Sequence, residues 1–138
     1  MSKFLKILLI YISMGILNTL IFIRYLESTG LPGGEIGMAP MGIILGSIFS
    51  LVISVIIYYL LQLKIKFNAI KSILLYEVIF LLVLILAFGG MNPFENEITN
   101  YKNITLWIYL TSFITTVIMI ISYLIFKEIK TKTKKRSA

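Results

Sequence analysis

The sequence contains no cysteine, no histidine and no aspartate, and its six acidic residues are all glutamates. Without cysteine there is no disulfide, no thiol redox chemistry and no cysteine-bound metal. Without histidine, the usual zinc and haem ligand sets and the histidine-based catalytic triads are excluded as well. We therefore expect no metal site, no cofactor and no enzymatic activity.

Charged residues of either sign are scarce. They make up 14% of the 138 residues, whereas 59% are hydrophobic and the mean hydropathy is +0.98. A soluble domain carries about 25% charged residues. The apolar excess forms four runs, each close to the ~20 residues that a helix needs to cross a hydrocarbon core of about 30 Å. The bilayer offers backbone polar groups no other partner, so these runs should be helical.

The sequence thus predicts an all-α, integral membrane four-helix bundle that forms one domain, 1–138. The predicted spans are residues 4–23, 41–63, 72–90 and 104–126, followed by a basic tail at 127–138. The connection at residues 24–40 is rich in glycine and proline and should be irregular. The connection at 91–103 is short and polar.

Basic residues are distributed unevenly between the two sides of such a bundle. Only Arg24 and Lys102 fall in the connections 24–40 and 91–103; the other 11 of 13 precede or open the first span, join spans two and three, or lie in the tail. By the positive-inside rule both termini would be cytoplasmic, in a multi-pass protein of the cell (inner or plasma) membrane. We attribute the net charge of +7 to topology and to anionic lipid headgroups near the tail, not to nucleic-acid binding.

Small and polar residues recur at helical spacing inside the spans, as expected where helices pack closely in lipid. Residues four apart share one helical face. Span two has the helix-packing series Gly42, Gly46, Ser50 and Ser54. Span one has Tyr11, Gly15, Asn18 and Phe22 on one face, and span four is rich in hydroxyls, at Thr111, Ser112, Thr115, Thr116 and Ser122.

Glu77 is the one charged residue in the run 72–90. A charge at the bilayer centre costs about 2.5–3.5 kcal/mol, so such a residue is a functional candidate by default. Glu77 lies six residues past Lys71, roughly 9 Å along a helix, and Tyr58 lies at a matching depth across the turn. We expect an intramembrane polar site formed by Glu77, Tyr58, Tyr11 and Asn18, with Glu77 hydrogen-bonded to a tyrosine. Because burial disfavours the charged form, Glu77 should be wholly or partly protonated. The residues leave open whether its role is functional or structural.

The segment "YISMGILNTLIFI", with Gly15, Asn18 and Thr19, resembles the first span of GtrA-type proteins, and "ISVIIYYLLQLKIKF" is similar to their second. Gln62 stands where that family usually has asparagine. The resemblance implies a small four-span protein associated with moving polyprenyl-linked sugars during cell-surface polysaccharide synthesis.

Two classes of function follow from the sequence. The first is a non-enzymatic membrane protein that assists the handling or translocation of a lipid-linked or amphipathic substrate in cell-envelope synthesis. The alternative is an immunity or accessory protein that binds another membrane protein or a membrane-active peptide. A membrane-protein partner or a homo-oligomer is compatible with both. Polysaccharide glycosyltransferase genes beside its gene would favour the first class, and a bacteriocin cluster the second.

The charge asymmetry predicts the outcome of a topology experiment. Alkaline phosphatase fused after Leu31 or after Glu97 should be active, because these positions would lie outside the cytoplasm. A fusion after the tail should be inactive. Reversed activity at any of the three positions would contradict the predicted orientation.

Overall fold

The computed structural model describes residues 3–29, 35–64, 67–87 and 100–136. These residues form four α-helices: α1 (Lys3–Thr29), α2 (Glu35–Leu61), α3 (Ala69–Ala87) and α4 (Asn100–Arg136). All four are long and apolar enough to cross a membrane. The predicted all-α class with four span-length helices is therefore confirmed for the described part of the chain.

The connection at residues 24–40 is less irregular than its composition predicts, because α1 runs to Thr29 and α2 begins at Glu35. Local contacts extend α1: Arg24 pairs with Glu27 at 2.8 Å, and the Ser28 hydroxyl donates to the Tyr25 carbonyl at 2.6 Å. Side-chain pairs three residues apart support a helix in this way. The connection 91–103 lies largely outside the described residues.

α3 begins at Ala69, earlier than the predicted residue 72, because Asn68 caps it. The Asn68 side-chain oxygen accepts a hydrogen bond from the Lys71 amide at 2.8 Å. Asparagine favours this position because its side chain satisfies an amide that the first turn leaves without a partner.

α4 is longer than its predicted span, since it continues through most of the basic tail to Arg136. Its 37 residues correspond to roughly 55 Å. The segment after residue 126 contains no glycine or proline that would end a helix. An exposed ion pair between Glu128 and Lys132, at 2.9 Å, supports its added turns.

The helices form an antiparallel bundle in which α1 packs against each of the other three. α1 and α3 meet across the middle, and α2 and α4 occupy opposite corners. We call the end where α1 and α3 begin and α2 and α4 finish the basic end, because lysines concentrate there. At the opposite end, Tyr25 and Trp107 stack at 4.5 Å and join α1 to α4.

The bundle places polar groups inside and many large apolar side chains outside. Its interior buries a carboxylate, an amide and several hydroxyls alongside aromatic rings. Its outer faces carry exposed residues such as Ile16, Phe49, Val78 and Phe113. Extended exposed apolar surface is rare on soluble monomers. This distribution fits a bundle whose surroundings are apolar.

Candidate functional site

Glu77 occupies the middle of α3 and points into the bundle, with only 8% of its surface exposed. Its Oε1 accepts a hydrogen bond from the Ser112 hydroxyl of α4 at 2.6 Å. Thr116, one turn farther along α4, lies beside the same carboxylate without reaching hydrogen-bond geometry. Glu77 Oε2 has no hydrogen-bond partner among the described residues. One of the two carboxylate oxygens is thus hydrogen-bonded, and its donor belongs to α4.

The predicted hydrogen bond between Glu77 and a tyrosine was wrong. Tyr58 is buried near the basic end, where its ring meets Phe67 edge-on at 5.4 Å, before α3 begins. Glu77 lies eight residues into α3, roughly 12 Å along its axis. The prediction measured depth from the lysines that flank the turn. α2 ends at Leu61 and α3 begins at Ala69, so the two side chains lie at different levels.

Tyr76, which the sequence analysis did not single out, connects three helices. Its ring stacks on Tyr11 of α1 at 5.7 Å, and its hydroxyl donates to the Ser47 carbonyl of α2 at 3.3 Å. Gly15 allows this approach: a Cβ there would lie 3.1 Å from Tyr76 Oη and 3.3 Å from Ser47 Cβ. Tyr11 therefore lies in the core beside Tyr76. The sequence signal available for Tyr76 was its position next to a buried glutamate.

Asn18 is 2% exposed, and neither side-chain atom of its amide has a hydrogen-bond partner in the described part of the chain. Its level follows from two contacts of α4. Trp107 meets α1 at Tyr25, and Ser112, five residues nearer the basic end, meets Glu77. Because α1 and α4 are antiparallel, five residues from Trp107 to Ser112 correspond to five residues from Tyr25 back to residue 20 of α1. Measured along the bundle axis, residue 20 is roughly 3 Å from Asn18. Asn18 and Glu77 therefore occupy the same level of the bundle.

We call the height along the bundle axis at which Asn18 and Glu77 lie the polar layer. Other buried hydroxyls bond to carbonyls of their own helices: Ser50 to Gly46 at 2.6 Å and Thr115 to Thr111 at 2.9 Å. Such bonds satisfy a hydroxyl without joining two helices. Buried polar atoms without a partner among the described residues belong to Tyr11, Asn18, Ser47, Ser54, Glu77 and Thr116. The interior thus retains hydrogen-bonding capacity that its helices do not use.

The small-residue series of α2 faces the interior along most of its length. Gly46, Ser50 and Ser54 are buried, and Gly42 is partly buried. Among the hydroxyls of α4, the four from Thr111 to Thr116 are buried, whereas Ser122 is exposed. The buried stretch of α4 coincides with the level of Glu77.

A groove of about 340 Å³ opens between α1 and α2, and we call it the α1–α2 groove. Polar or small groups line part of it, at Tyr11, Gly15, Thr19, Ser47 and Tyr76. Its other lining residues are apolar: Ile12, Ile16, Leu20, Ile44, Ile48 and Leu51. The groove therefore brings an apolar surface into contact with the side chains that border the polar layer.

Within the described ranges, no three histidine, cysteine, aspartate or glutamate side chains come together as a metal site would require. Glu77 is also the one buried carboxylate among the residues whose burial is described. The arrangement can therefore hydrogen-bond a polar group or exchange a proton at one carboxylate, but the described residues place no second carboxylate beside it.

The Glu77 environment predicts different results for two substitutions. Glu77→Gln keeps an oxygen that can accept from Ser112, so the free energy of unfolding should stay close to that of the wild type. Glu77→Leu leaves the Ser112 hydroxyl buried without its acceptor, so the free energy of unfolding should fall by about 1–3 kcal/mol. Unfolding in mixed dodecyl maltoside and dodecyl sulfate micelles measures both. Val78→Leu, at the exposed neighbouring position, is the control, and equal stability of all three variants would contradict this description.

No family model, no curated protein and no solved structure matches this chain. The resemblance to GtrA-type proteins accordingly stays a prediction from the two quoted segments, residues 11–23 and 53–67.

Proposed function

We propose that this chain is a non-enzymatic, multi-pass protein of the cell (inner or plasma) membrane, with both termini cytoplasmic. Its proposed role is to assist the handling or translocation of a lipid-linked or amphipathic substrate in cell-envelope synthesis. The observation that carries the proposal is the α1–α2 groove, in which apolar walls adjoin small and polar residues next to the polar layer.

An amphipathic molecule needs two kinds of surface, and the groove has both. The isoleucine and leucine walls suit a hydrocarbon chain. Beside them lie two hydroxyls, that of the partly exposed Thr19 and that of the buried Ser47, which has no partner within the described residues. A polar headgroup could bond there while its chain stayed in contact with apolar side chains.

The level of the polar layer supports a role in moving a polar group through the bilayer. Glu77 and Asn18 lie near the middles of their helices, where an unpaired polar group would cost several kcal/mol in hydrocarbon. Hydrogen-bonding groups at that level lower this cost for a headgroup that passes along the bundle. Glu77 Oε2 and the Asn18 amide are buried and do not line the α1–α2 groove, so a headgroup would reach them only when the helices move apart.

The alternative is an immunity or accessory function in which the same groove binds a helix of another membrane protein or a membrane-active peptide. Ser47 in the groove wall favours this alternative, because small residues let a partner helix approach closely. The buried polar groups of Asn18, Ser47 and Glu77, which have no full set of partners among the described residues, favour the amphipathic substrate. Both functions place the occupant in one groove, so a single experiment separates them.

Photo-crosslinking tests the occupant of the α1–α2 groove. Benzoylphenylalanine would replace Ile16 or Ile48 in the groove wall, or Val78 on the outer face of α3; all three residues are 54% exposed. We expect a lipid-linked or other amphipathic molecule to be captured in native membranes at Ile16 and Ile48, and not at Val78. Mass spectrometry of the purified adducts identifies it.

Two outcomes would contradict the proposal. Capture of the same bulk phospholipids in equal yield at all three positions would show that the groove is ordinary lipid-facing surface. Capture of one defined protein at the two groove positions alone would replace the proposal with the immunity or accessory function.

A further inference from the structure

A second cavity, of about 460 Å³, lies at the basic end between the start of α1, the start of α3 and the later turns of α4. We call it the lysine pocket, because Lys3, Lys6, Lys127 and Lys130 all line it. It shares no lining residue with the α1–α2 groove. Apart from the general contribution of basic residues to topology and to the attraction of headgroups near the tail, the features described so far give these four lysines no role.

The four lysines are arranged to concentrate positive charge. α1 contributes Lys3 and Lys6, and α4 contributes Lys127 and Lys130. The two lysines of each pair are three residues apart, which places them on one face of their helix. None of the four forms an ion pair within the described ranges; Glu128, between the α4 pair, binds Lys132 outside the pocket. Four uncompensated charges around one cavity repel each other, and an anion in the cavity would relieve that repulsion.

The start of α3 adds to the positive potential. Asn68 and Ala69 line the pocket, and α3 begins at Ala69. The first turn of a helix carries partial positive charge and amides that attract anions. Asn68 uses its side-chain oxygen on the Lys71 amide, so the cap leaves the earlier amides of that turn available.

The remaining walls are apolar and favour a lipid over a soluble anion. Phe67, Tyr123 and Phe126 contribute aromatic rings, and Ile7, Leu9 and Ile10 contribute aliphatic surface. Leu9 and Phe126 are also exposed on the outside of the bundle, at 45% and 70%. The apolar wall is thus continuous with the outer surface, which would let hydrocarbon chains leave the pocket along the helices.

We infer that the lysine pocket binds the phosphate headgroup of an anionic phospholipid of the adjacent leaflet, with its acyl chains along α1 and α4. Basic pockets between helices at this level are the sites that acidic lipid headgroups occupy. The inference concerns a site separate from the α1–α2 groove. It rests on the membrane location and orientation given under the proposed function, but not on the proposed substrate.

Binding of phosphatidylglycerol to the purified full-length protein tests the inference. Native mass spectrometry would count bound lipid in dodecyl maltoside micelles containing phosphatidylglycerol or phosphatidylcholine. Lys6→Gln with Lys127→Gln removes two charges from the pocket. At about 1 kcal/mol per lysine, affinity for phosphatidylglycerol should fall about 30-fold. Lys64→Gln with Lys71→Gln removes the same charge from the same end, outside the pocket, and should lower affinity about threefold or less because of screening.

Charge-retaining replacements distinguish loss of binding from loss of folding. Lys6→Arg with Lys127→Arg should restore phosphatidylglycerol binding, and all variants should elute from gel filtration like the wild type. Equal losses in the two glutamine pairs would show diffuse surface attraction and overturn the inference. So would equal wild-type binding of phosphatidylcholine, or displacement of phosphatidylglycerol by millimolar inorganic phosphate, which would indicate a site for a soluble anion.

Discussion

A carboxylate in the middle of an apolar helix must find a partner inside the protein, and in this bundle that partner is Ser112. The hydrogen bond from Ser112 to Glu77 joins α4 to α3 at half height. In lipid, apolar contact alone gives helices little reason to prefer each other to the surrounding chains, so polar bonds and close packing set which faces meet. Glu77 therefore directs one face of α3 toward α4, while Tyr76 connects the same helix to α1 and α2.

The burial pattern of α3 follows from that orientation. With Glu77 inside, the buried face also contains Ile73, Tyr76, Phe80 and Leu84, and the opposite face exposes Leu74, Val78, Leu82 and Leu86. Both faces are apolar, so apolarity alone could not have distinguished them. The same rotation directs Tyr76 toward Tyr11 and Gly15, which brings α1 and α2 against α3 and leaves the α1–α2 groove beside them. The face of α3 that Glu77 directs inward thus also carries the aromatic core and borders the candidate site.

Much of this architecture could be predicted from the sequence, because length and apolarity define span-length helices without reference to tertiary contacts. The inward faces of α1 and α2 could be predicted too, since Asn18 and the serine series mark them directly. The partner of Glu77 could not, because depth was counted from Lys64 and Lys71, whereas the helix ends are set by Leu61 and the Asn68 cap. The lysine pocket could not be predicted from the sequence either. Lys6 and Lys127 are 121 positions apart and meet only through the packing of α1 against α4.

The coupling between Glu77 and Ser112 is the most direct test of the claim that this bond organises the bundle. A double-mutant cycle of Glu77→Leu, Ser112→Ala and the combined variant measures it, with reversible unfolding in mixed micelles as the readout. Removing Ser112 should cost much less once Glu77 is gone, with an interaction free energy of about 1–3 kcal/mol. Additive effects, within about 0.5 kcal/mol, would show that the two side chains do not depend on each other and would contradict this account.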